Sequence, residues 1–394
     1  METPSRRAAV DVDRRARVFL AWLTLSGWPP LHRRTPAQAR HEYRILAAAA
    51  SSWQPVGSVR EALVRTAEHD VPVRVYRPRR DGGPMPLVVW FHGGGFVVGD
   101  LFTADGTCRR IANTAGATVV SVHYRRAPEH PVPCAHHDAL AATRWALRHA
   151  EDLGADPARL VVAGESAGGG LAAHVAQRLR DDGPHPAALQ VLCCPGTDFS
   201  LDHADRDPAL ARLLSWETID WFAGHSMPAG VDRHDPRISP LYAEDLHGLP
   251  PAVVVTAGVD PFRADAIAYC RRLGAAGVPV THWDFPGQIH GFVGMDLLFP
   301  AGRVALRRAS RAIGMATPTG MTGADHAPPE PISWARGTAQ TRRRLREMAH
   351  RLPQVNGLEM LATLVDYRLR DSGTSRGPAP TNGLTGQRSP RRIP

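Results

Sequence analysis

The chain has 394 residues, with 47 basic side chains against 38 acidic ones, and carries a formal charge of +9. Every basic residue is an arginine, so the absence of lysine excludes P-loop and Schiff-base chemistry. From Met315 onward 12 arginines face 6 carboxylates, which places the basicity in a tail and leaves the body nearly neutral.

Residues 1–52 carry helical patterns and are expected to form a cap. Their apolar run, Val18–Trp28, is too short to cross a bilayer. Ser5-Arg6-Arg7 hints at a secretion leader, but Asp11 and Asp13 stand where its apolar core would be, so a cytoplasmic location is expected. Residues 58–78 read as an antiparallel hairpin. From 86 to 314 strand and helix patterns alternate, the signature of an α/β fold with a mostly parallel sheet flanked by helices. Valine-rich runs at 87–91, 117–124, 159–164, 189–194 and 252–258 read as buried strands, and the alternating run 278–285 as a strand near the sheet edge. Helices are expected near 102–115, 134–150, 167–181, 260–276 and 297–313.

An insertion at about 200–235 interrupts this alternation and contains the helical pattern 213–224. Together with residues 1–52 it suits a roof over the carboxyl edge of the sheet, where open α/β sheets bind ligands. Its Trp216 and Trp221 suit helix packing or the wall of a substrate pocket, and the residues leave both readings open. The core is thus expected at 53–314 and a linker with a partly helical, partly disordered tail at 315–394. The patterns 338–352 and 357–371 are the helical candidates there. The apolar face at 358–369 suits docking to the body or to a second copy, while the arginines suit a solvated surface better than nucleic acid. Five cysteines with no CxxC argue against a disulfide framework and against a zinc site, and buried free thiols are expected.

The chemistry lies in four motifs. Gly164-Glu165-Ser166-Ala167-Gly168 matches G-x-S-x-G, but so does Gly373-Thr374-Ser375-Arg376-Gly377 in the tail, so the pattern alone decides nothing. Context separates them: the first has a buried strand before it and a helix after it, the setting a strained nucleophile elbow requires. A competing dinucleotide reading of Gly168–Ala173 fails, because four residues part it from the strand end and no acidic residue follows the next strand. Downstream, Asp260 follows one strand and His290 follows the next. This is the order in which a serine acquires a base and the base an orienting carboxylate. Asp265 and Asp284 compete weakly, one inside a helix pattern and the other inside a strand. Upstream, His92-Gly93-Gly94-Gly95 follows a strand and offers backbone N–H groups to a substrate oxygen.

"HGGGF" (92–96), "YRRAPEHPVP" (124–133), "GESAGGG" (164–170), "DPFRAD" (260–265) and "IHGF" (289–292) together make residues 55–312 resemble the hormone-sensitive-lipase branch of the α/β-hydrolase esterases. The resemblance implies Ser166 as nucleophile, His290 as general base and acid, and Asp260 as its orienting carboxylate. It also implies an oxyanion hole from the N–H groups of Gly93, Gly94 and Ala167, with Phe96 beside the substrate. No metal or organic cofactor is implied. The implied substrates are small to medium acyl esters, the cap segments setting their size. Acyl transfer or amide cleavage by the same triad, or a ligand receptor on the same scaffold, are the alternatives. Glu165, Arg126 and His123 depart from the family's usual residues, and residues 315–394 match nothing in it.

Overall fold

A computed structural model describes residues 11–79, 83, 85–182, 187–200, 206–317 and 320–321. The tail patterns at 338–352 and 357–371, the second G-x-S-x-G and the start of the cap lie outside the described residues.

Eight strands form one sheet. The hairpin β1 (Ser58–Arg65) and β2 (Asp70–Arg77) leads, followed by β3 (Met85–Phe91), β4 (Thr118–Val122), β5 (Ala155–Glu165), β6 (Leu189–Cys193), β7 (Ala252–Val259) and β8 (Val280–Ile289). The order across the sheet is β1-β2-β4-β3-β5-β6-β7-β8. β2 pairs antiparallel with both neighbours and every other pair is parallel. Parallel strands need crossovers, supplied by α3 (Asp105–Ala115), α4 (Cys134–Arg148), α5 (Ala167–Asp182) and α7 (Arg263–Ala275). α8 (Pro300–Met315) follows β8.

Helices on both faces explain the unbroken apolar strands. In β3, Leu87, Val89 and Phe91 join the core on the face covered by α4 and α5, whereas Val88 and Trp90 join the core on the other face, which α8 covers. α4 meets the sheet through Ala135, Ala139, Ala142 and Ala146, a stripe of small residues that lets the backbone come close. The elements expected between residues 58 and 315 form, with starts that shift for local reasons. α7 begins at Arg263 because Asp260 and Pro261 remain in the loop, and α8 begins with Pro300 at its first position.

Three further helices lie above the carboxyl edge. α1 (Arg14–Leu25) is capped by Asp13, whose carboxylate accepts from the N–H groups of Arg15 and Ala16 and whose own N–H bonds Gly287 O. α2 (Pro36–Ala50) opens with a capping box between Thr35 and Gln38. Arg40 on α2 donates to Val97 O at 2.8 Å and Ala127 O at 2.7 Å, which straps this helix to the loop after His92. α6 (Trp216–Ser226), from the insertion, is capped by Ser215. His32, in the turn between α1 and α2, meets Thr218 of α6 at 3.1 Å, so the two roof segments touch each other.

Candidate active site

Ser166 stands between the last residue of β5 and the first of α5 with φ at 57°, a left-handed conformation that a side chain rarely adopts. The turn is held by backbone bonds: Ser166 N–H donates to Cys193 O at 2.9 Å, and Ser166 O accepts from Gly169, Gly170 and Gly196. Two glycines make it possible. A Cβ at Gly164 would lie 2.1 Å from Gly168 O, and one at Gly168 would lie 2.1 Å from Phe91 O. The elbow therefore wedges directly against the end of β3.

His290 follows β8, and Asp260 follows β7. His290 Nε2 lies 2.9 Å from Ser166 Oγ and its Nδ1 lies 2.8 Å from Asp260 Oδ2. The other oxygen of Asp260 accepts the N–H of Phe262 at 2.9 Å, which fixes the carboxylate on its loop. Burial works to lower the His290 pKa, but the Asp260 charge and hydrogen bond, with the Glu165 charge, more than offset it, and the imidazole ends above its ordinary value. The competing carboxylates are elsewhere: Asp284 pairs with Arg263, and Asp265 lies within α7.

Behind this group lies Cys194, at φ 43° and buried. Its thiol and the ligand atoms of Asp260 and His290 fall within 4.8 Å of one another, a spacing a metal could in principle use. Burial and the neighbouring carboxylates push the thiol well above its ordinary pKa, and both ring nitrogens of His290 are already engaged by Ser166 and Asp260.

The loop after β3 passes beside Ser166. A Cβ on Gly93 would come within 3.3 Å of Ser166 Cβ, and Gly94 has φ at 125° with Val98 O where a side chain would go. Gly93, Gly94 and Ala167 all face the same cavity as Ser166 and His290. The loop is held from behind. Tyr124 donates to His92 O at 2.7 Å, the His92 Nδ1–H donates to Gly93 O at 2.8 Å, and Arg126 donates to Gly99 O at 2.5 Å. Burial presses His92 down to about 3, so this ring is neutral and serves as scaffolding. Arg126, a departure from the family pattern, thus has a structural partner in the glycine-rich loop after β3.

The cavity above Ser166 measures about 1450 Å³ and runs from the elbow to the roof helices. Phe96, Phe199, Phe262, Phe222, Ile219 and Met227 form the wall near the serine. Phe96 lines this cavity, packed 5.2 Å from Phe199. Trp216 and Trp221 do not: neither belongs to the lining. Trp216 turns away to donate its Nε1–H to Asp207 O and to lie under Arg206, and Trp221 packs on His225 at 4.4 Å. The apolar stripe that α6 and its C-cap turn inward is Ile219, Phe222, Ala223 and Met227. Their spacing of three, four and eight from Ile219 is a helical stripe that the sequence offered beside the more conspicuous tryptophans. Phe199, Glu165 and Cys194 carried no comparable signal.

The chain was also compared with known proteins. Residues 88–294 match the family described as alpha/beta hydrolase fold. Esterase LipI of Mycobacterium tuberculosis is 45% identical over 255 residues, covering 61% of this chain and 76% of that protein. Ethyl acetate hydrolase of Pseudomonas putida is 37% identical over 276 residues, 68% of this chain and 86% of that protein. Among solved structures, an ester hydrolase from the metagenome of Lake Arreo, in complex with a bipyridine phosphonate derivative, superposes with a TM-score of 0.74. It is 39% identical, over 77% of this chain and 98% of that one. The chain belongs to the α/β-hydrolase fold family, in its hormone-sensitive-lipase-like carboxylesterase branch.

Proposed function

From that membership, and for this serine carboxylester hydrolase, we propose a two-step mechanism through an acyl-enzyme formed on Ser166. The carrying observation is the continuous line Ser166 Oγ, His290 Nε2, His290 Nδ1, Asp260 Oδ2, at 2.9 Å and 2.8 Å. In the first step His290 takes the Ser166 proton as Oγ attacks the ester carbonyl. The N–H groups of Gly93, Gly94 and Ala167 receive the oxyanion, and the backbone rather than any side chain of these residues does the work. His290 then gives that proton to the departing alcohol. In the second step it deprotonates water, which attacks the acyl carbon and returns Ser166 to its hydroxyl. Asp260 accepts from the Nδ1–H of His290, holding the imidazole in the tautomer that leaves Nε2 free to accept.

Small to medium acyl esters are the proposed substrates, with Phe96 and the inward stripe of α6 setting the fit. Residues 1–52 and about 200–235 act as the cap, 53–314 as the catalytic core, and 315–394 as an appendage that mediates protein contact or self-association. A cytoplasmic location is proposed. Among the described residues no helix is long and apolar enough to cross a membrane. The test is hydrolysis of p-nitrophenyl esters from acetate to decanoate by the wild type and by Ser166→Ala. Activity in the first and a loss of at least about 10⁴-fold in the second are expected. Activity that survives the substitution would assign the nucleophile elsewhere, and inactivity of both would favour a receptor. Product analysis in the presence of added alcohol separates hydrolysis from acyl transfer.

A further inference from the structure

One half-buried acid at the centre of the site has no part in the mechanism above. Glu165 ends β5, immediately before the nucleophile. Its Oε1 accepts the N–H of Gly294 at 3.3 Å, which ties the elbow to the loop that carries His290. That loop makes room for it, since a Cβ on Gly294 would lie 3.0 Å from Oε2. The carboxyl also lines the cavity beside Ser166 and His290.

The groups that face Glu165 come from four elements. They are His290 and Asp260 from the loops after β8 and β7, Tyr43 from α2, and Cys193 and Cys194 at the end of β6. Burial, together with Glu165 itself, pushes the Tyr43 phenol and both thiols up, so these three are neutral at working pH. The remaining pair, Asp260 and His290, is the one whose charge changes during catalysis. A tether alone would not need a charge, because an amide oxygen accepts Gly294 N–H equally well and buries at lower cost.

We propose that Glu165 is a positioning residue for His290: it fastens the histidine loop to the elbow through Gly294, and as a carboxylate it stabilises the imidazolium formed when Ser166 gives up its proton. It neither donates nor receives a proton in the cycle, and it acts across space rather than by touching the reacting atoms. Asp260 holds the imidazolium from the Nδ1 side, and Glu165 adds a second negative charge from the elbow. Burial, reinforced by Asp260, pushes Glu165 up to about 7, against the pull of His290 and Gly294 N–H. The support is therefore present above that pH and withdrawn below it, and Glu165 and His290 titrate as a coupled pair.

The inference rests on the catalytic reading of Ser166, Asp260 and His290, and the test separates the two. It compares the wild type with Glu165→Gln and Glu165→Asp, using the pH dependence of kcat and kcat/KM on p-nitrophenyl acetate with thermal melting alongside. Glu165→Gln keeps the acceptor for Gly294 but removes the charge. It is expected to lower kcat about tenfold at pH 8 and to move the acid limb of kcat/KM down by about one pH unit, with melting unchanged or raised. Glu165→Asp is expected to recover most of kcat and the wild-type limb. An acid limb and kcat that are the same in Glu165→Gln as in the wild type would overturn the proposal and leave the residue a tether. A fall in kcat with no movement of the limb, and no recovery by aspartate, would overturn it in favour of packing. Failure of the esterase reading looks different, because the wild type is then inactive too.

Discussion

The elbow and the roof solve opposite problems. Around Ser166 the backbone is overdetermined. Gly164, Gly168, Gly169 and Gly170 are packed so tightly that an added Cβ would clash at 2.1 to 2.8 Å, and Ser166 holds a left-handed φ against four backbone hydrogen bonds. Above it, α1, α2 and α6 each meet the body through a backbone bond at one end, Asp13 to Gly287, Ala50 to Leu297 and Ser226 to Val132, and otherwise through side chains: Arg40 to two carbonyls and Arg44 to Asp100, with His32 and Thr218 joining the roof segments to each other. α1 leaves Val18 and Leu25 largely exposed. Catalytic geometry must be held to fractions of an ångström, so it is built from backbone on a rigid sheet. Substrate fit tolerates variation, so side chains on separate helices can supply it.

Substitutions should therefore differ in kind between the two regions. The largest effect is expected from Gly168→Ala, whose methyl would meet Phe91 O. Loss of soluble fold, or a destabilisation above about 3 kcal/mol with no activity, would appear in thermal melting and esterase assays together. A near-normal melt there would mean that the elbow can relax like the roof. Next, Asp260→Asn should leave melting and circular dichroism close to wild type yet reduce kcat by about 10⁴-fold, as the wrong imidazole tautomer faces Ser166.

Acid should loosen the lower region before the roof. His92, His136 and His174 are buried and held below the ordinary histidine value, to about 3 for His92 and about 4 for His174, mainly by burial. Their folded pKa values lie below the unfolded one, so the unfolded chain binds more protons as pH falls beneath about 6.5. Stability should then decline by up to about 1.4 kcal/mol per pH unit for each histidine, until the folded values are reached. Chemical denaturation at pH 7, 6 and 5 measures this, and a flat profile would show that these rings are solvated. The smallest effect is expected from Phe222→Ala, whose ring fills the space above Gly95. It should alter kcat/KM on acetate by less than about tenfold while raising the decanoate-to-acetate ratio, with kcat on acetate nearly constant.

The legibility of the sequence follows the same division. The candidates Ser166, Asp260 and His290 could be picked out because each follows a strand, β5 and β7 being marked by valine runs and β8 by alternation. The glycines could be found because a tight turn admits no other residue. Phe222 was overshadowed by Trp216 and Trp221, since residue size says nothing about which way a helix face turns. Glu165 stood in plain view inside the motif, and its role stayed hidden because its partner, Gly294, lies 129 residues further along the chain.

The sequence by itself determined the α/β architecture, the strand ends that carry the chemistry and the order of the three triad candidates, because periodicity and turn chemistry act over a few residues. Tertiary structure alone decided which face of α6 closes the cavity, which carboxylate reaches His290, and that the glutamate before the serine bonds Gly294 on the histidine's loop. Those depend on distances between segments far apart in the chain, set by how helices of particular bulk settle onto the sheet.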